Sequence, residues 1–289
     1  MKITTLVENR TPNPRLKAEH GLSLLIESCG LKILSDTGQS RAFMENADTL
    51  GVDLADVDAL VISHAHYDHG GGIAHFFETN STGPVYMSTH AQNAFYAIGG
   101  PKIDGEIAAS TNPRYIGLPP SLFEGAIRPF IFVTENTTIN KAVHILSEIG
   151  RAYPVPPGND SLFEKRDDRL EPDAFRHELL LVVEEADGMV LFCGCGHGGI
   201  RNMIAATRQH LPGKCIKAIV GGLHLIPMAD EKAGPATTDY VETLAQALVE
   251  AEVGVIYTGH CTGDAAFKIL KRHLNNRVAG LHCGARFEI

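Results

Sequence analysis

Four side chains of metal-binding type are crowded into the segment VISHAHYDHGGG, which spans residues 61–72. They are His64, His66, Asp68 and His69, and their nitrogen and oxygen atoms are ligands of Zn²⁺, Mn²⁺ and Fe²⁺. Residues two apart in an extended segment point the same way, so His64 and His66 can bind one ion. Asp68 and His69 lie beyond a bend and can face a second ion. Three glycines then allow a tight turn into a helix. Because four side chains of metal-binding type stand within six residues after an apolar run, the pattern predicts a metal-binding loop rather than a polar surface loop.

Three other segments place reactive side chains directly after an apolar run. Cys195 and His197 follow MVLFC, His224 follows CIKAIVGGL, and His260 follows VGVIYTG. Each run predicts a strand, and strand ends in layered α/β folds meet at one edge, where sites are usually built. We therefore expect these side chains to lie beside the 61–72 loop. The alternative for Cys195 is the inert packing that is usual for a buried cysteine.

Short apolar runs separated by turn signals indicate the fold class. ITTLVEN, GLSLLIESCG, LKILSDTG and DALVISH predict strands, and HELLLVVEEADGMVLFCG predicts a hairpin around its Asp-Gly turn. Later strands alternate with helices. This order predicts an α/β protein, a four-layer αββα sandwich of two mixed sheets, in a single domain over residues 1–289. Residues 97–128, rich in Gly, Pro and Ser, predict an insertion or lid, and the polar residues 151–176 predict a long loop.

Composition restricts the partners. The chain carries 25 Lys and Arg against 34 Asp and Glu, a net charge of −9, which argues against a broad nucleic-acid surface. A local basic pocket for one phosphate is compatible with that charge. The N-terminus lacks an apolar signal core, and no apolar run reaches the roughly 18 residues of a membrane span. We therefore expect a cytoplasmic protein with a small-molecule substrate and no membrane partner, whose six scattered cysteines are reduced thiols.

The segment HAHYDHG resembles the H-x-H-x-D-H signature of the metallo-β-lactamase fold superfamily, which implies an αββα sandwich with one or two metal ions at its edge. LSDTG is similar to the first motif of that superfamily, whose Asp, here Asp36, orients the metal-binding loop. LFCGCGH resembles the fourth motif, where most members place a bridging Asp and this chain has Cys195. TGHCTG resembles the last ligand motif and implies that His260 binds metal.

The chain departs from the superfamily pattern at the third motif. No clear G-H-T-x-G-H precedes the hairpin, and His177 in R-H-E-L is the nearest candidate, either for a site role such as substrate binding or for a polar residue at the start of a strand. Cys195 and His197 both stand where one bridging ligand is expected, so either can ligate, and His197 can instead hold substrate. His224 is expected to donate a proton or anchor a phosphate, unless it is a polar residue at a strand end. The other histidines are expected to be ordinary surface or core residues: His20, His75, His90, His144, His210, His273 and His282.

The set GLSLLIE, DTGQS, SHAHYDHGGG, HELLLVV, GCGHGGIRNM, GGLHL and GHCTG resembles one subfamily of that superfamily. Its members are named 7,8-dihydropterin-6-methyl-4-(β-D-ribofuranosyl)aminobenzene-5′-phosphate synthases or metal-dependent hydrolases. We expect a metal-dependent hydrolase or transferase acting on a small, phosphorylated substrate, with zinc as the expected ion and manganese or iron as alternatives. Asp68 would orient the nucleophile and His224 would act as the acid. The remaining hypotheses are the pterin transferase itself, a di-iron redox enzyme and a metal-stabilised binding protein.

Overall fold

The computed structural model describes residues 1–99, 102–103, 106–107, 112–124, 130–226 and 235–289. The strands found there are β1 (Lys2–Val7), β2 (Ser23–Ser28), β3 (Leu31–Ser35), β4 (Ala59–Val61), β5 (Val85–Ser88), β6 (Ala94–Ala97), β7 (Lys102–Ile103), β8 (Glu106–Ile107), β9 (Arg114–Tyr115), β10 (Phe130–Val133), β11 (Thr137–Asn140), β12 (Val143–Leu146), β13 (Leu162–Arg166), β14 (Arg169–Pro172), β15 (Leu180–Glu185), β16 (Gly188–Cys193), β17 (Ile216–Gly221), β18 (Val255–Thr258), β19 (Val278–Gly280) and β20 (Arg286–Glu288).

The α-helices of the same residues are α1 (Ala42–Leu50), α2 (Tyr67–Gly70), α3 (Ile73–Thr79), α4 (Ile200–His210), α5 (Pro235–Glu250) and α6 (Asp264–Leu274). Short 3₁₀ helices cover Pro120–Leu122, Pro157–Ser161, His260–Thr262 and Asn275–Arg277. None of these helices combines the length and the apolar character that crossing a membrane requires.

The first seven-stranded sheet has the order β10-β5-β4-β3-β2-β1-β20. Strands β20, β1, β2 and β3 are antiparallel, whereas β3, β4, β5 and β10 are parallel. Parallel neighbours need a crossover connection, and α1 and α3 lie in two of these connections. The carboxyl ends of β4, β5 and β10 therefore share one edge, and the 61–72 loop begins at the end of β4.

The second seven-stranded sheet has the order β11-β12-β15-β16-β17-β18-β19. Its first four strands are antiparallel, and β16 to β19 are parallel. The predicted hairpin is confirmed, because Glu185 pairs with Gly188 across a two-residue turn. Helices α4, α5 and α6 connect the parallel strands, so the ends of β16, β17 and β18 meet at the same edge.

Side chains alternate across the strands and form three apolar layers. On β15, Leu180 and Val182 pack with the helices α4 to α6, while Leu181 and Val183 pack with residues of the first sheet. Phe43 of α1 and other residues of the first helical layer cover the outer face of the first sheet. Burying each such large side chain stabilises the fold by about 1.5–3 kcal/mol. The predicted αββα sandwich of two mixed sheets is therefore confirmed.

A smaller antiparallel sheet, β14-β13-β6-β9, lies beyond the two large ones. The prediction of a long loop over 151–176 was wrong for 162–172, which form the hairpin β13–β14. Charged residues hide the alternation of β13, where Leu162 and Glu164 are both buried. The predicted lid at 97–128 is described in part, because residues 100–101, 104–105, 108–111 and 125–129 lie outside the described residues.

Candidate metal centre

The 61–72 loop delivers its histidines from an extended backbone. His66 has φ −91° and ψ 149°, and α2 begins at the next residue. The Tyr67 amide donates to Ile116 O at 2.9 Å, which ties the loop to the segment before Gly117. The rings of His64 and His66 lie 4.6 Å apart, on one side of the strand extension, as their spacing predicts.

Three imidazole rings converge, and each has one nitrogen without a hydrogen-bond partner among the described residues. The ring of His197 lies 4.9 Å from that of His64 and 5.2 Å from that of His66. The Nε2 atoms of all three are buried and have no hydrogen-bond partner among the described residues. Burial lowers the pKa of His66 to about 3 and holds those of His64 and His197 well below the ordinary value, so the rings are neutral. An unpartnered buried nitrogen is costly unless a cation takes its lone pair, so these residues fit a divalent metal ion.

A second group lies beside the first. His69 Nε2 is 3.1 Å from His260 Nε2 and 3.2 Å from Cys195 Sγ, and His260 Nε2 is 3.3 Å from Asp68 Oδ2. Burial lowers the pKa of His260, but the Cys261 thiolate and the Asp68 carboxylate outweigh it and raise that pKa to about 9. This half of the centre therefore attracts positive charge.

Cys195 lies between the two groups. Its sulfur is within 4.8 Å of ligand atoms of His64 and His197 on one side and of His69 and His260 on the other. Burial raises the pKa of the Cys195 thiol, so a bridging thiolate needs cations next to it. The backbone before Cys195 lies close to the 61–72 loop only because residue 194 is a glycine. A Cβ at Gly194 would stand 1.9 Å from Ser63 Oγ.

Asp36 stands behind the 61–72 loop, where the resemblance places it. Its Oδ2 is 2.7 Å from His69 Nδ1 and accepts the Ser63 hydroxyl at 2.7 Å, and its Oδ1 accepts the Ser63 amide at 2.7 Å. Its backbone is left-handed, with φ 61°. His224 and His260 share this conformation, with φ 46° and 49°. Non-glycine residues rarely adopt it, and such strain clusters at functional sites.

The ring of His177 supports the loop from inside. Its Nδ1 accepts the Ala65 amide at 2.9 Å, and its Nε2 donates to Asp173 Oδ2 at 3.0 Å. Phe95 packs on the ring with a centroid distance of 4.0 Å. Both nitrogens are thus engaged within the protein, which argues against the predicted substrate-binding role of His177 and in favour of a positioning role.

Glu178 holds the backbone of His197 in the first group, and no sequence signal identified it. Its two carboxylate oxygens accept the amides of His197 at 2.7 Å and Gly198 at 2.6 Å. Burial raises the pKa of Glu178 to about 8. Asn159 Oδ1 accepts a hydrogen bond from His197 Nδ1 at 2.9 Å, which leaves Nε2 of that ring for the centre.

His224 lies at the border of the site. Its ring is 4.1 Å from that of His197, and neither ring nitrogen has a partner among the described residues. The His224 amide donates to Cys261 Sγ at 3.2 Å, which fixes the backbone. An imidazole with both nitrogens open is free to exchange a proton with a bound molecule.

His20, expected to be an ordinary surface or core residue, lies against the second group. Its Nε2 lies 3.1 Å from Asp68 Oδ2, its ring is 4.8 Å from that of His260, and its side chain is 51% exposed. Asn9, from the same part of the chain, places Oδ1 2.9 Å from His260 Nδ1. Both residues come from the irregular connection between β1 and β2, where no strand-end pattern indicates a site.

Residues 16–201 match the family described as the metallo-beta-lactamase superfamily. The chain is 27% identical to 7,8-dihydropterin-6-methyl-4-(beta-D-ribofuranosyl)-aminobenzene-5'-phosphate synthase of Methanocaldococcus jannaschii, over 98% of this chain and 95% of that protein. It is 30% identical to Tm1679, a metal-dependent hydrolase of the beta-lactamase superfamily, whose crystal structure aligns with a TM-score of 0.80 over 100% of this chain and 99% of that one. The metallo-beta-lactamase fold protein YhfI from Bacillus subtilis is 13% identical, with a TM-score of 0.58 over 100% and 99% of the two chains, and shares the fold.

Proposed function

Because this chain belongs to the metallo-beta-lactamase superfamily, we propose that it is a metal-dependent hydrolase or transferase acting on a small, phosphorylated molecule. The observation that carries the proposal is the convergence of three buried, neutral imidazoles whose Nε2 atoms have no protein partner among the described residues. A protein that used these residues only for packing would leave three polar atoms unsatisfied in its interior.

The ligands divide into two sets. His64, His66 and His197, whose rings lie 4.6–5.2 Å apart, would hold one ion, and His197 would then take the place of the third motif that the sequence lacks. A second ion would be held by Asp68, His69 and His260, whose ligand atoms lie 3.1–3.8 Å apart, with Cys195 between the two sets. Nitrogen and thiolate ligands favour zinc over harder cations, with manganese and iron as the alternatives. Asp68 is the one carboxylate among the seven, which disfavours the di-iron hypothesis, since such centres use more carboxylates.

A bound divalent ion supplies a Lewis acid for a phosphoryl or carbonyl oxygen and lowers the pKa of a coordinated water. Asp68 is buried, and its carboxylate can accept a hydrogen bond from the nucleophile and orient it. His224 presents open ring nitrogens next to His197, where it can protonate a leaving group or bond to a phosphate oxygen.

The relative named as a phosphate-containing pterin synthase supports a phosphorylated substrate and keeps the pterin transferase as the second candidate function. Tm1679 supports hydrolysis. The two differ in the acceptor: water in a hydrolase, and a carbon nucleophile in the transferase. Product analysis separates them, because a hydrolase incorporates oxygen from labelled water.

The experiment combines metal analysis with an activity panel of phosphomonoesters, phosphodiesters, thioesters and lactones. Wild type, His66→Ala and the control His273→Ala, altered at an exposed residue of α6, are compared. We expect one or two ions per wild-type and His273→Ala chain, and a loss of activity on the order of 10²–10³-fold in His66→Ala. Equal metal content and equal rates in wild type and His66→Ala would overturn the proposal.

A further inference from the structure

A polar cavity of about 250 Å³ opens at the same edge of the sandwich as the metal centre but shares none of its predicted ligands. It lies beyond the carboxyl ends of β5, β10 and β12, a place where α/β sheets commonly bind ligands. Its walls include Arg151, Arg176 and His90, together with the hydroxyl-bearing residues Ser88 and Ser147. We propose that this cavity binds a small phosphate-type anion.

The cationic side chains have little opposing charge. Arg151 donates to the carbonyl of Ala174 and forms no ion pair with a described residue. Arg176 reaches Glu164 at 3.4 Å, but that carboxylate is engaged with Arg166 and with Asn93 at 2.6 Å. Two guanidinium groups with spare N–H donors match the geometry of a tetrahedral oxyanion.

His90 and Ser147 indicate the same ligand. Burial and then the charge of Arg176 lower the pKa of His90, and together they outweigh the opposing charge of Glu164. The Ser147 hydroxyl is buried and has no partner among the described residues, although the cavity lies beside it. A hydroxyl can donate to a phosphate oxygen and would then be satisfied.

The acidic residues of the cavity do not cancel this charge. Glu178 forms part of the wall, but both its oxygens accept backbone amides of His197 and Gly198 on the side of the metal centre. Glu148 is exposed at the rim. Phe175 separates the two sites, since it lines the cavity and stacks on the His197 ring at 4.3 Å. The cavity is therefore a neighbour of the metal centre and not a part of its opening.

The test measures binding of inorganic phosphate to the metal-loaded protein by calorimetry at low ionic strength. Wild type is compared with Arg151→Gln/Arg176→Gln, with Ser147→Ala, and with Arg272→Gln, which removes one exposed positive charge on α6. We expect the double variant to lose one phosphate site, with at least about a tenfold rise in Kd, and Ser147→Ala to weaken it less. Arg272→Gln should bind like wild type.

Phosphate binding at the metal centre is separated by His66→Ala, which should keep the cavity site. Loss of every phosphate site in His66→Ala, or equal binding by wild type and the double variant, would overturn the proposal. Equal displacement of phosphate by acetate would overturn the assignment to a tetrahedral anion. If the double variant does not fold, the phosphate affinity of Ser147→Ala, which lacks one hydroxyl, tests the cavity site in its place. Metal content, measured on the same samples, tests the proposed function separately.

Discussion

The Nε2 atoms of His69 and His260 lie 3.1 Å apart in the buried centre. Each ring has its Nδ1 next to an acceptor, Asp36 Oδ2 for His69 and Asn9 Oδ1 for His260, so both Nε2 atoms carry lone pairs when the two rings are neutral. Two lone pairs at this distance beside the Asp68 carboxylate repel one another unless a cation lies between them. The arrangement requires either a proton on His260 or a metal ion shared by the two rings.

Removing the metal should therefore lower the stability of the protein. An ion that binds only the folded chain stabilises it by about 4 kcal/mol when its free concentration is roughly 1,000 times Kd. Thermal unfolding before and after chelation, with metal content checked on each sample, should show a clear fall in Tm that added zinc reverses. An unchanged Tm in a fully depleted sample would contradict a structural contribution of the ion.

Asp173→Ala should weaken metal binding without removing a ligand. The change leaves His177 Nε2 without its acceptor, so the ring that holds the Ala65 amide between His64 and His66 can reorient. Loss of such a partner typically costs about 10–100-fold in metal affinity. Competition with a coloured chelator measures this loss.

Two further variants show whether that effect belongs to the hydrogen bond. Asp173→Asn keeps an oxygen acceptor and should restore most of the affinity. Asp167→Asn, in the turn between β13 and β14, changes an acidic residue outside the centre and should match wild type. A metal affinity that is the same in Asp173→Ala and wild type would remove the positioning role of His177.

His224→Gln should separate catalysis from metal binding. The proposed proton transfer contributes about 10²–10⁴-fold, so kcat should fall by that order while the metal content stays at the wild-type level. Steady-state kinetics and metal analysis on one preparation make the comparison, with His273→Gln as the surface control. A parallel loss of metal and activity would identify His224 as a ligand instead.

Glu164 predicts a specific dependence of stability on pH. Burial opposes its ionisation, but hydrogen bonds from Arg166 and Asn93 outweigh burial and hold the pKa of Glu164 below its ordinary value of 4.5. The folded chain then binds fewer protons than the unfolded chain at mildly acidic pH. The stabilisation is complete above the ordinary pKa and is lost as the pH falls through the lower folded-state value.

Glu164→Gln should thus cost about 1–3 kcal/mol at neutral pH and progressively less at an acidic pH below 4.5. Urea unfolding of wild type and variant at both pH values measures the difference, with Glu250→Gln, at an exposed end of α5, as the control. A cost that is the same at both pH values would show that the charge of Glu164 is not the cause.

The parts of the site that local patterns predict are those carried by strand ends. The 61–72 loop, Cys195 and His260 each follow an apolar run, and the structure brings them together at one edge. The sequence leaves two roles open for His197, metal ligand or substrate contact, because it does not show that the His197 ring turns toward His64. That orientation depends on Glu178 and Asn159, which are 19 and 38 residues away along the chain.

Residues that support the site through long-range contacts are not marked by a local sequence pattern of this kind. Asp173 and Glu178 are single acids in a polar stretch, and His20 lies in an irregular connection where its 3.1 Å approach to Asp68 depends on the packing of β1 against β2. The hairpin β13–β14 was missed because its charged residues pair across the strands, as Glu164 does with Glu171. The fold could be predicted from hydrophobic patterning, whereas these supports could not, since they need tertiary structure to become neighbours.

The most direct test is a crystal structure of the metal-loaded protein with anomalous diffraction collected at the absorption edge of the bound metal. We predict an anomalous peak within bonding distance of the Nε2 atoms of His64, His66 and His197, about 2.0–2.1 Å for zinc, with Cys195 Sγ on its far side. Absence of any peak at these three nitrogens in a protein that retains metal and activity would contradict the account.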